Sequence, residues 1–99
     1  MNKIEQFKSI LKEEIPYLQK HFGIEEIGVF GSYIREEQKK GSDLDILVKF
    51  YADSSIGLFD LVALDEYLEK KLGVKVDVAN KDTLKKYIGK RILAEVEYL

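Results

Sequence analysis

The 99-residue sequence contains no cysteine, which excludes a disulfide framework and any thiolate metal site. It has no apolar run near the roughly 20 residues that a membrane-spanning helix needs. A dominant charge of one sign is also missing. Its 16 Lys and Arg against 18 Asp and Glu leave a net charge of −2, so no general field draws nucleic acid to the chain, and neither nucleic acid nor membrane is an expected partner. Met1 to Ile10 carries charges throughout, so no secretory leader is expected and a cytoplasmic location is. Proline and histidine each occur once, as Pro16 and His21. With nothing beside it in sequence to orient it, His21 reads as a surface or helix-end residue, not as a general base.

What is present has a globular balance, 45% hydrophobic and 34% charged. The length suits one domain, residues 1–99, with a modest core. Ile4, Phe7, Ile10 and Leu11 recur at helical spacing from Lys3 to Glu14. Pro16 predicts either a kink or a second helical piece, Tyr17 to His21, stopped by Gly23. Glu26 to Phe30 predicts a first strand, Leu44 to Phe50 a second, and Val74 to Ala79 a third. Leu58 to Leu72 predicts the longest regular helix, bracketed by Gly57 and Gly73, with acids early and lysines late as the helix dipole favours. Its leucine stripe is core. Asp53, in the polar loop Tyr51 to Gly57, reads as a turn residue. Asp82-Thr83 resembles the start of a final helix with the apolar stripe Ile88, Ile92, Leu93, Val96 and Leu99. Lys85, Lys86, Lys90 and Arg91 read as its solvated basic face, with contact to a nucleotide or an acidic partner as the alternative. Strand, long helix, strand implies a parallel pair. The expected fold is α/β: a small mixed three-stranded sheet, order 1-2-3, strands 2 and 3 parallel, acids on one face and helices on the other.

The chemistry is concentrated in Gly31 to Phe50. Side chains alternate faces along a strand, so Asp43 and Asp45 share one face with Leu47 and Lys49, while Leu44, Ile46, Val48 and Phe50 take the other. In the third strand the three valines face one way, and Lys75, Asp77 and Ala79 the other. Side by side, these strands bring Asp43, Asp45 and Asp77 together. Two carboxylates ~4 Å apart repel by about 4 kcal/mol at an effective dielectric of ~20. That repulsion is relieved by protonation or by a cation, and an all-oxygen set suits Mg²⁺ or Mn²⁺. Three such acids can hold two ions for in-line phosphoryl displacement. Gly31 at the strand end permits close approach of a ligand to the backbone. Tyr33 to Lys39 predicts a helical turn or two. There Ser32 and Arg35, three residues apart, offer a hydroxyl and a guanidinium to phosphate. Isolated acids at strand starts are often edge residues that discourage aggregation, but that does not account for three on matching faces.

Gly31-Ser32 followed after ten residues by Asp43-x-Asp45 resembles the signature of the DNA polymerase β-like nucleotidyltransferases. The likeness is greatest to the minimal nucleotidyltransferases, the MntA-type antitoxins of HEPN/MNT toxin–antitoxin modules. It runs from about Ile10 to the end, through Val29-Phe30-Gly31-Ser32, Ser42-Asp43-Leu44-Asp45, Val76-Asp77-Val78 and the closing Arg91-Ile92-Leu93-x-Glu95. The resemblance implies transfer of AMP from ATP to a hydroxyl, a tyrosine of a helical HEPN toxin, which is thereby neutralised. Asp43, Asp45 and Asp77 would hold Mg²⁺, and Gly31, Ser32 and Arg35 the nucleotide phosphates. Steric blocking of the toxin without catalysis is the alternative. Many relatives have glycine after the arginine of this turn. Here Glu36 follows Arg35, which is expected to extend the helix and to set a negative charge near the phosphates.

Overall fold

The structure, a computed structural model, describes residues 2–84 and 86–99. Lys85 of the predicted basic face lies outside the described residues, as does the side chain of Ile88 from the predicted apolar stripe. The elements run α1 (Lys3–Phe22), β1 (Ile24–Phe30), β2 (Leu44–Phe50), α2 (Leu58–Leu72), β3 (Val76–Asn80), α3 (Lys86–Glu95) and β4 (Glu97–Tyr98). A 3-10 turn, Lys81–Thr83, leads toward α3 and is capped by the Asn80 side chain, which accepts from the Asp82 N–H.

The sheet order is β3-β2-β1-β4. β1 pairs antiparallel with β2, and β2 parallel with β3, as the strand–helix–strand order requires. β4 is the difference from the three-stranded expectation. It pairs antiparallel with β1 through Gly28 and Val29. Two residues are too few to show a strand period. Their one trace in the sequence is Gly28, because a Cβ there would lie 2.7 Å from Val96 Cγ2 and 3.0 Å from the Glu97 carbonyl oxygen. Glycine within a strand marks such a close approach. Glu97 is further tied to α1 by an ion pair with Lys8.

One face of the sheet carries the main core. Ile27 and Val29 of β1, Leu44, Ile46, Val48 and Phe50 of β2, and Val76 of β3 meet Phe7, Leu11 and Leu18 of α1 and Leu64, Leu68 and Leu72 of α2. α1 is one helix through Pro16, not two. The proline is exposed, so the carbonyl deprived of its N–H partner can turn to water. Leu11 and Leu18, both fully buried, hold the helix on either side of it. The other face is not bare. Phe30, Leu47 and Ile92 are buried there, with Ala79, Leu84 and Val96 against them. α3 therefore packs on the face that also carries the acids, and this sets the shape of the site.

Candidate active site

Asp45 and Asp77 are direct register partners across the parallel β2–β3 pair, where adjacent strands lie about 4.8 Å apart. Asp77 is exposed, between buried Val76 and partly buried Val78 of the core layer, so it points away from the valines. Asp43 is exposed just before β2, and Asp45 is half-buried. The Asp45 carboxyl is pushed up to about 6, first by burial, then by the charges of Asp77 and Asp43, with Arg35 opposing and Glu95 adding. Among the described residues, no three acidic side chains are gathered tightly enough to hold a metal ion. The donor chemistry nevertheless fits a hard divalent cation: oxygen ligands only, and one carboxylate whose ionisation its neighbours penalise.

Gly31 follows Phe30, the register partner of Asp45. Its φ is +83°, and a Cβ there would sit 1.9 Å from Asp45 Oδ2. Only glycine lets the chain turn beside that carboxylate. The Gly31 carbonyl accepts from the N–H of Ile34 and of Arg35, so a turn begins here, with Ser32 half-buried in it.

The turn ends sooner than the sequence implies. Glu37 N–H donates to the Ser32 carbonyl at 2.8 Å and Glu36 N–H to the Tyr33 carbonyl at 3.4 Å, with Glu36 at φ +59°. This is a Schellman closure with glutamate in the left-handed position that usually belongs to glycine. Glu36 thus terminates the turn where it was expected to extend a helix. The left-handed conformation costs a non-glycine residue roughly 1–2 kcal/mol. Glu36→Gly should therefore stabilise the chain by about 1 kcal/mol, read as a higher urea midpoint at unchanged slope.

Arg35 Nη1 donates to both carboxylate oxygens of Glu95 at 2.9 Å, and Arg35 Nε to Glu37 at 3.3 Å. Glu95 also accepts from the Gly31 N–H at 3.0 Å. Glu95, and after it Glu37, hold the Arg35 guanidinium above its ordinary range. Phe30, Gly31, Arg35 and Asp45 line a cavity of about 250 Å³ together with Arg91, Ile92 and Glu95 of α3. Sequence reasoning favoured a solvated basic face for α3, kept nucleotide contact for Arg91 as the alternative, and gave Glu95 no role. The signal it passed over was Leu47, an apolar residue on the acid-bearing face of β2, which calls for a cover. Arg91 and Glu95, four residues apart, then fall on one side of that covering helix. The remaining candidates lie elsewhere. His21 is exposed on α1 with its ring 4.1 Å from that of Tyr17. Asp53 is a turn residue beyond the far end of β2 from Asp43.

The family described as nucleotidyltransferase domain matches residues 4–99. A relative from Thermococcus cleftensis, named protein adenylyltransferase MntA, is 47% identical over 96 residues, 97% of this chain and 95% of its own. A solved structure with the provisional name of minimal nucleotidyltransferase superposes with a TM-score of 0.74 at 30% identity, covering 100% of this chain and 97% of that one. A complex of a tri-AMPylated HEPN toxin from Shewanella oneidensis with an MNT antitoxin shares the fold at a TM-score of 0.60 and 18% identity, over 97% of this chain and 67% of that one.

Proposed function

The chain belongs to the nucleotidyltransferase domain family and is an enzyme of that class, and from that premise we propose that it transfers AMP from ATP to a tyrosine hydroxyl of a HEPN-type toxin and so neutralises it. The observation that carries this reading is the Asp45–Asp77 register pair set beside the Gly31 turn. The name of the Thermococcus cleftensis relative supports a protein acceptor, and the AMPylated HEPN complex of the same fold supports its class.

In the reaction the tyrosine oxygen bonds to the α-phosphorus, the bond from that phosphorus to the bridging oxygen breaks, and pyrophosphate leaves. Asp43, Asp45 and Asp77 would hold Mg²⁺, two ions, with Mn²⁺ also compatible. When bound, the metal neutralises triphosphate charge and lowers the pKa of the attacking hydroxyl. Asp77, which is exposed, would favour loss of the hydroxyl proton. The Gly31 N–H, Ser32 and Arg35 receive phosphate oxygens, Arg35 as a fork. Phe30 and Ile92 give the cavity an apolar floor.

The test is intact-mass spectrometry of a helical HEPN-type protein co-expressed with this chain. Mass steps of whole adenylyl groups are expected with Mg²⁺ and ATP, and none with the Asp43→Asn, Asp45→Asn double variant. One observation favours a second reading, neutralisation by steric cover alone: Arg35 is already engaged by Glu95. Under that reading the double variant still neutralises the toxin and no AMP appears on it.

A further inference from the structure

Gly31 N–H and Arg35 are two of the donors that the proposed phosphate cradle needs, and a carboxylate of the chain already uses both. Glu95 Oε1 lies 3.0 Å from Gly31 N and 2.9 Å from Arg35 Nη1. One oxygen thus takes a backbone and a guanidinium donor together, as a phosphate oxygen would. We infer that Glu95 is an internal stand-in for a nucleotide phosphate, closing the cradle until nucleotide displaces it. The inference rests on the nucleotidyl-transfer reading of the same site and adds to it how the site is kept closed.

Three features support displacement over permanent attachment. Glu95 is the last residue of α3, where the helix dipole disfavours an acid. Its charge also adds to those of Asp43 and Asp77 against Asp45. The Gly31 and Arg35 donors are what offset these two penalties. Finally, Arg91 stands one turn back on α3, lines the same cavity and has no ion pair among the described residues. It can take the released carboxylate at i, i+4 spacing without any change in the helix.

A ligand that binds only the open form shows an affinity reduced by the fraction of molecules that are open. Glu95→Ala should therefore bind a non-hydrolysable ATP analogue in Mg²⁺ about tenfold more tightly than the unaltered chain, with Glu95→Gln between them. Calorimetric titration of the full chain gives the affinities, and the Gly31 amide resonance reports the contact directly. That amide should move upfield in Glu95→Ala and should also shift when the unaltered chain is saturated with the analogue. Equal or weaker binding by Glu95→Ala overturns the inference and makes Glu95 a positioning residue for Arg35, with the transfer reading intact. Binding by no variant removes the transfer reading and this inference with it. Should Glu95→Ala fail to fold, an unmoved Gly31 amide in the saturated unaltered chain is sufficient to overturn it.

Discussion

Asp45→Asn should yield a chain that is more stable than the parent and catalytically dead. The Asp45 carboxyl titrates near 6 in the folded chain against an ordinary 3.8. Between those values the folded chain keeps a proton that the unfolded chain has released. The stability that Asp45 contributes is thus fully present below about pH 4 and is lost as pH rises through about 6. At pH 7 the whole penalty of ionising it, set first by burial and then by the charges of Asp77 and Asp43, is in force. A shift of about two units corresponds to roughly 3 kcal/mol. Asp45 is half-open to solvent, which screens that charge, so about 1 kcal/mol is the expected gain on neutralising it. In metal-free buffer that raises Tm by about 4–8 °C in a chain of this size. The difference should vanish below about pH 4, where the parent is neutral at this position as well. Mg²⁺ should raise the melting temperature of the parent and not that of the variant, because an ion that binds only the folded state stabilises it. Under the proposed role of Asp45 as a holder of Mg²⁺, its loss should remove several kcal/mol of transition-state stabilisation, on the order of a hundredfold or more in rate. A variant that melts at or below the parent at pH 7 without metal would refute the claim that the half-buried Asp45 charge, beside Asp77 and Asp43, strains the fold.

The same carboxylates show how far the sequence could be read. β2 and α2 occupy the residues that their periodicity predicts, Leu44–Phe50 and Leu58–Leu72. Alternation along β2 is enforced by a buried layer, and α2 is bounded by glycine at both ends. β1 begins two residues earlier than expected, and β3 runs Val76–Asn80 in place of Val74–Ala79. Pairing decides those ends: Ile24 finds a partner in Phe50, and Asn80 one in Val48. No local pattern reports a partner that lies twenty or thirty residues away. α3 and Glu95 were hidden for a related reason. The helix stripe showed that one side of α3 is buried, but not which face of the sheet it covers. Placing it on the acid face turns Arg91 from a solvated cation into a cavity residue. Glu36 is a different kind of miss. Its side chain favours helix, whereas the backbone hydrogen bonds that close the turn at Glu37 go with a φ of +59° at Glu36, so turn geometry overrides the side-chain preference.

The turn at Gly31 should tolerate no side chain. Gly31→Ala faces two separate obstacles. At φ +83° an L side chain costs roughly 1–2 kcal/mol whatever surrounds it. The new Cβ would also lie 1.9 Å from Asp45 Oδ2, 2.8 Å from its Cγ and 3.0 Å from its Cβ. Oδ2 and Cγ can swing away only by taking the carboxylate from its place, and the Cβ is fixed by a backbone paired on both sides, with β1 and with β3. Overpacking of that kind costs about 1–3 kcal/mol. Together they predict a loss of about 3–4 kcal/mol, enough to lower Tm by more than about 10 °C. A double-mutant cycle separates the two. In the Asp45→Ala background the contacts with Oδ2 and Cγ are gone and only the 3.0 Å contact with the Cβ of residue 45 stays, so Gly31→Ala should cost the backbone share, about 1–2 kcal/mol, plus that lesser contact, and the coupling between the sites should amount to the part owed to the carboxylate. Urea unfolding of the four proteins at constant pH measures it. A cost that is the same in both backgrounds would mean that Gly31 is demanded by its φ and the Cβ contact, and that the Asp45 carboxylate does not lean on the turn. A large coupling would identify the contact between this glycine and this carboxylate as the reason the turn and the acid strand hold a fixed distance. In that case Gly31→Ala should abolish transfer even at temperatures where it remains folded, because Asp45 is then pushed off its place beside Asp77.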